Sequence, residues 1–104
     1  MRLTYPTALV LVAVTRGHRY GFDVIDATGL PSGTVYPILR RLEVAGVLRS
    51  RWEREAAAHD EGRPPRKYYQ VTGAGATAAR EALERFPGVA GALAPDGAPS
   101  PAGT

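Results

Sequence analysis

Three residues, Gly29-Leu30-Pro31, are all that separate two segments with helical periodicity, and this short joint constrains the fold more than any other feature of the chain. The first segment, Tyr20 to Thr28, sets Phe22, Val24 and Ile25 against an outward Asp23 and Asp26. Gly29 then supplies the left-handed residue that ends a helix at low cost. Ser32 is a suitable N-cap for the next helix, expected over about residues 32–45. Two helices joined by so short a glycine-containing turn are the signature of a helix-turn-helix.

On a wheel of about 100° per residue, Val35, Ile38, Leu39, Leu42 and Ala45 of the second helix gather on one arc. Gly33, Tyr36, Pro37, Arg40 and Val44 lie opposite, with Arg41 beside them. The outer face thus carries Tyr36, Arg40 and Arg41 and no acid before Glu43, which suits it to phosphates. Pro37 conflicts with a helix interior unless the first turn begins nearer Thr34, where the missing N–H has no intrahelical partner to lose.

Around this pair the remaining elements follow from pattern. Thr7 to about Arg16 is apolar nearly all round and reads as a helix buried on more than one side. After Gly46, residues 47–53 read as a strand, 54–66 as a loop, and 67–72 as the antiparallel partner strand, with Tyr69 and Val71 on one face and Tyr68 and Gln70 on the other. Thr72 can cap a last helix running to Phe86, with Ala76, Ala79, Ala82, Leu83 and Phe86 as its apolar stripe. The expected fold is mainly α with a β-hairpin, an α+β winged helix-turn-helix over residues 1–72 followed by a C-terminal helix over 73–86. Residues 87–104, rich in Pro, Gly and Ala with Asp96 as their one charge, read as a flexible tail. Residues 88–94 are apolar enough for one more helical turn, against which Gly88 and Gly91 weigh.

A chain of 104 residues has room for one core. It carries 13 Lys+Arg against 10 Asp+Glu, for a net charge of +3, and every cation except Lys67 is arginine. Arginine's planar fork suits phosphates and base edges, so the balance leans toward a nucleic-acid partner. The absence of cysteine removes disulfides, thiol catalysis and cysteine-ligated zinc, and two histidines make a histidine metal site an unfavourable reading. No nucleophile elbow, phosphate loop, metal-ligand cluster or facing acid pair is present, so the chain is read as neither an enzyme nor a cofactor protein. The apolar run Ala8–Val14 is far too short to span a membrane, and with no small-residue cleavage site after it the chain is expected to be cytoplasmic.

Several residues have an ordinary reading. Tyr5, Tyr20 and Phe22 are expected in the core beside the first helix. His18 and His59 are expected at the surface, without carboxylate partners. Trp52 is expected to pack over Tyr69 or Tyr68, and Glu43 to serve as an internal ion-pair partner or cap. Arg49 and Arg51 are equally well read as DNA contacts or as solvated side chains. Within the loop, Gly62-Arg63-Pro64-Pro65-Arg66-Lys67 sets three cations on a segment stiffened by two prolines, so they are partly pre-positioned for phosphates or a narrow minor groove.

The order of these pieces carries a resemblance. Tyr20-Gly21-Phe22-Asp23-Val24-Ile25 resembles the opening of the second helix in PadR-family transcriptional regulators. Gly33-Thr34-Val35-Tyr36-Pro37-Ile38-Leu39-Arg40-Arg41-Leu42-Glu43 with Gly46-Val47-Leu48 resembles that family's recognition helix and turn. Residues 62–72 with Gly75 resemble its wing and the entry to its last helix. The resemblance implies a homodimeric winged helix-turn-helix, a bacterial repressor that binds a pseudo-palindromic operator in double-stranded DNA and is released or enhanced by a small-molecule effector of unidentified class. The short last helix matches the family's small subgroup.

On this reading Tyr36 and Arg40 face the major groove, Ser32 and Thr34 hold a phosphate at the helix N-terminus, and Arg41 contacts backbone. Arg63, Arg66 and Lys67 on the wing reach backbone or minor groove. Leu9, Leu11, Val12, Leu83 and Phe86 are the expected dimer contacts. The competing reading is a winged-helix protein-interaction module that has lost DNA binding.

Overall fold

Every residue of the first helix from Thr7 to Val14 is buried, and the other elements are arranged to cover it. This helix, α1 (Tyr5–Thr15), starts where the Thr4 hydroxyl accepts the Thr7 N–H at 3.4 Å, and Pro6 lies in the first turn, where no helical hydrogen bond is lost. The computed structural model describes residues 2–93. Two layers enclose α1. Val10, Leu11, Ala13 and Val14 meet Val24 and Ala27 of α2 (Gly21–Thr28) and Val35, Ile38, Leu39 and Leu42 of α3 (Ser32–Val44). Leu3, Ala8, Leu9 and Val12 meet Ala82 of α5 (Gly73–Arg85) and Val89 of α6 (Val89–Ala92).

Gly29 ends α2 at φ +73, as its position requires. The N-cap of α3 is Pro31 and not Ser32: the extended backbone of Pro31 points its carbonyl at the N–H groups of Thr34 and Val35, at 2.9 and 3.0 Å. Ser32 is the first helical residue. Pro37 consequently sits inside α3 and not in its first turn. The carbonyl deprived of a donor is that of Gly33, an exposed residue.

Strands β1 (Leu48–Trp52) and β2 (Lys67–Val71) pair antiparallel, with Leu48 opposite Val71, Ser50 opposite Tyr69 and Trp52 opposite Lys67. Arg49 opposite Gln70 and Arg51 opposite Tyr68 occupy the other face. Tyr20 adds a single antiparallel bridge to Tyr68, so the segment before α2 borders the sheet. Between the strands the expected loop contains a further helix, α4 (Glu55–Asp60), with Ala58 fully buried. Thr72 caps α5 by accepting the Gly75 N–H at 3.1 Å while its hydroxyl donates to the Gly46 carbonyl at 2.7 Å, locking the α3–β1 turn to the last long helix. A Cβ on Gly75 would run into the Val47 carbonyl, so only glycine allows this approach. No helix among the described residues is long and apolar enough to cross a membrane.

Two expectations need correction. Leu9, Leu11 and Val12 are covered within the single chain: Leu11 packs in the cluster shared with α2 and α3, and Leu9 and Val12 in the one shared with Ala82 of α5 and Val89 of α6. Residues 87–93 belong to the fold and not to a tail: Val89 is fully buried, and the Arg16 guanidinium donates to the Ala90 carbonyl at 3.2 Å. The rest of the expected tail, residues 94–104, lies outside the described residues. Of the apolar stripe proposed for α5, Ala79 and Ala82 are buried, whereas Ala76 and Leu83 are exposed. Replacing Val89 with Ala removes two buried methyl groups and is expected to lower stability by about 1–3 kcal/mol in urea unfolding. A change confined to a few tenths of a kcal/mol would show that α6 is not part of the cooperative unit.

Candidate nucleic-acid interface

The outer face of α3 is built by its own periodicity. Val35, Ile38, Leu39 and Leu42 point inward, which leaves Tyr36, Arg40 and Arg41 exposed and Ser32 exposed at the N-terminus. The N–H groups of Ser32 and Gly33 lie in the first turn, which holds no acid to compete for them. At the other end, Arg40 and Arg41 line a recess of about 510 Å³ together with Arg2. Arg2 was not singled out from sequence; only the crossing of α1 and α3 brings it there.

Tyr36 is 43% exposed, yet its ring is held in place. It lies so close to the backbone of Gly21 that any Cβ there would overlap it. The Tyr20-Gly21 and Tyr36-Pro37 pairs, two separate motifs in the sequence, are therefore one contact in the fold. They border a cleft of about 440 Å³ between the start of α2, α3 and the hairpin, walled by Tyr20, Phe22, Tyr36, Trp52, Pro64 and Pro65. Gly21→Ala is expected to displace the Tyr36 ring and cost about 1–3 kcal/mol of stability, measured by thermal unfolding.

On the wing, each of the three expected cations has an internal partner. Glu53, at the end of β1, receives both terminal nitrogens of Arg63, one of them at 2.9 Å, and also the Arg66 N–H at 3.2 Å. The Arg63 guanidinium bound to Glu53 holds that carboxyl down at about 2. Arg66 places its guanidinium 4.2 Å from the centre of the Tyr20 ring. Lys67 lies 3.3 Å from Glu43, whose carboxylate also accepts the Ser50 hydroxyl. The Ser50 hydroxyl, and then Lys67, keep the Glu43 carboxyl below its ordinary range. Glu43 is thus the internal ion-pair partner expected of it, and it ties α3 to both strands.

Other residues depart from the sequence reading. His18 is 5% exposed, and its Nδ1 lies 3.0 Å from the Asp23 carboxylate; the two are five positions apart but face each other across the start of α2. Trp52 is 67% exposed at the end of its strand, with the Lys67 ammonium 6.0 Å from the centre of its ring. Tyr5 and Phe22 are exposed as well, at 41% and 71%, since α1 is already enclosed by aliphatic neighbours. Among the described residues no group of three His, Cys, Asp or Glu side chains is placed to hold a metal.

Because the Glu53 carboxyl is depressed in the folded chain, its contribution is complete above pH about 4.5 and is lost as pH falls from there toward 2. The fluorescence of Trp52, next to Glu53, is expected to change across that window in the native chain, and the change is expected to be absent in Glu53→Gln. An identical acid transition in both would refute this role for Glu53.

The profile of the Transcriptional regulator PadR-like family matches residues 10–81, from the middle of α1 through most of α5. No curated protein is significantly similar to the chain. Among solved structures, a PadR family transcription regulator from hypervirulent Clostridium difficile R20291 superposes with a TM-score of 0.69 at 20% identity, covering 85% of this chain and 93% of its own. A PadR family transcriptional regulator from Eggerthella lenta DSM 2243 is 27% identical, with a TM-score of 0.59 and coverage of 82% and 76%. Pex from Synechococcus sp. strain PCC 7942 is 25% identical, with a TM-score of 0.53 and coverage of 82% and 80%. A helix-turn-helix followed by a two-stranded wing, with the family profile running through both, establishes that this chain belongs to the PadR-like family of DNA-binding transcriptional regulators.

Proposed function

We propose that the protein is a homodimeric repressor that reads a pseudo-palindromic operator, with α3 in the major groove and the wing on the adjacent backbone or minor groove. The observation that carries this reading is the outer face of α3: Tyr36, Arg40 and Arg41 are exposed side by side, and the helix holds no acid before Glu43. Arg40 is the base reader, able to meet guanine through two parallel hydrogen bonds, and Tyr36 contacts phosphate or a thymine methyl. Ser32, Thr34 and the free N–H groups of the first turn hold a phosphate. Arg41, with Arg2 beside it, contacts backbone.

The wing's part in this reading is narrower than its composition implies. Arg63 shapes the wing through Glu53, while Arg66, stacked by its face on Tyr20, keeps its N–H edge for an acceptor, and Lys67 has two further donors beyond the one turned to Glu43. A second copy fits against the exposed Leu83 and the neighbouring Phe86 and Tyr5, whose rings meet edge to face at 6.0 Å. A small-molecule effector acts by shifting this pair of protomers between DNA-competent and incompetent spacings.

Arg40→Ala is expected to erase about 1–3 kcal/mol of discrimination at one base pair of each half-site, read by mobility shift on single-base variants of the gene's own upstream DNA. Unchanged discrimination at every position would remove Arg40 from the reading surface.

A further inference from the structure

We infer that the outer face of the β1–β2 hairpin, carrying Arg49 and Arg51 with Arg19 beside them, is a second phosphate-binding surface that seats duplex DNA backbone outside the groove approached by α3. The inference rests on the proposed DNA binding and adds a surface to it. Strand alternation separates the two faces: Ser50, Trp52, Lys67 and Tyr69 lie on the side where Ser50 binds Glu43 of α3, whereas Arg49, Arg51, Tyr68 and Gln70 lie on the opposite side. The Arg19 carbonyl accepts the Tyr69 N–H at 2.7 Å, which brings the Arg19 segment to the sheet edge. Arg19, Arg49, Arg51, Tyr68 and Gln70 line one recess of about 410 Å³, and no acid is among its lining residues.

The contrast with the wing tip decides the assignment. Arg63 and Lys67 each bind a carboxylate and Arg66 covers a ring, so each of those three cations is engaged in part within the wing itself. Arg19, Arg49 and Arg51 are exposed and, among the described residues, form no ion pair or side-chain hydrogen bond. Three like charges on one recess repel each other, and no carboxylate among the lining residues offsets that repulsion. A polyanion does. The lining favours a phosphate backbone, because three guanidinium groups stand together with the Tyr68 phenol and the Gln70 amide and no acid is among them.

The test replaces Arg19, Arg49 and Arg51 together with Gln in the full chain. Binding is measured on a duplex of the gene's own upstream DNA and on a scrambled duplex, at salt concentrations from about 50 to 200 mM. The slope of log affinity against log salt is expected to fall by about 2–3 per protomer, with both duplexes weakened alike and their affinity ratio held within about twofold. The triple Lys variant is expected to keep most of the slope, since it retains the charges. A Gln variant with the native slope overturns the inference and leaves the proposed function standing. Loss of the slope in the Lys variant overturns it too, because the arginines would then serve the fold. A native chain that binds neither duplex overturns the proposed function, and this inference with it.

Discussion

The position of the wing relative to the recognition helix depends on two carboxylates, Glu43 and Glu53. Glu43 stands in the last turn of α3 and accepts from Ser50 on one strand and Lys67 on the other, so a single side chain fixes the helix to both halves of the hairpin. Glu53 closes the far end by binding the Arg63 fork and the Arg66 backbone. Exposed ion pairs contribute little to stability, but the Glu53 and Arg63 side chains are only 12% and 19% exposed and meet at two points, a geometry that gains far more. The fit is incomplete: Arg63 Nε is buried without an acceptor. That cost is tolerable only because both terminal nitrogens of the same group are satisfied.

This arrangement redistributes charge in a way that composition conceals. The Gly62–Lys67 run has the appearance of a basic loop, but its cations are partly engaged within the wing, while Arg40 and Arg41 on α3, Arg2 beside them, and Arg19, Arg49 and Arg51 at the outer face of the sheet form no ion pair among the described residues. Tyr36 follows the same logic. It is exposed enough to meet a ligand, and one side of its ring rests against Gly21. A glycine that reads in sequence as a helix start is, in the fold, the seat of a candidate contact residue.

What was legible in the sequence is what short-range physics determines. The Gly29-Leu30-Pro31 turn, the inward arc of α3 as far as Leu42, the Thr72 cap and the strand alternation each depend on residues within a few positions of one another, and each is found, whereas Ala45, expected on the same arc, lies exposed just past the helix end. The ion-pair partners of the wing cations were not legible, since Glu53 and Arg63 are ten residues apart and Glu43 and Lys67 further still, with only the hairpin register bringing them together. α4 could have been found: Glu55-Ala56-Ala57-Ala58-His59-Asp60 is an alanine run with an acid at its start and a histidine near its end, which favours a helical turn. The burial of α1 was legible, but which elements would cover it was not.

That last point changes how assembly relates to folding. An all-round apolar helix in so small a domain suggests that a second copy must complete the core, yet α5 and α6 complete it from within the same chain. Val89 does this with one short turn held by the Arg16–Ala90 contact, at the cost of ordering residues 87–92. The described residues of one protomer thus already enclose α1. Under the proposed twofold arrangement, dimerisation is therefore left to the modest patch of Tyr5, Leu83 and Phe86, and the equilibrium between protomer and dimer can shift without unfolding either state. Under that same proposal, an effector would vary the grip on DNA by changing how the two domains are spaced.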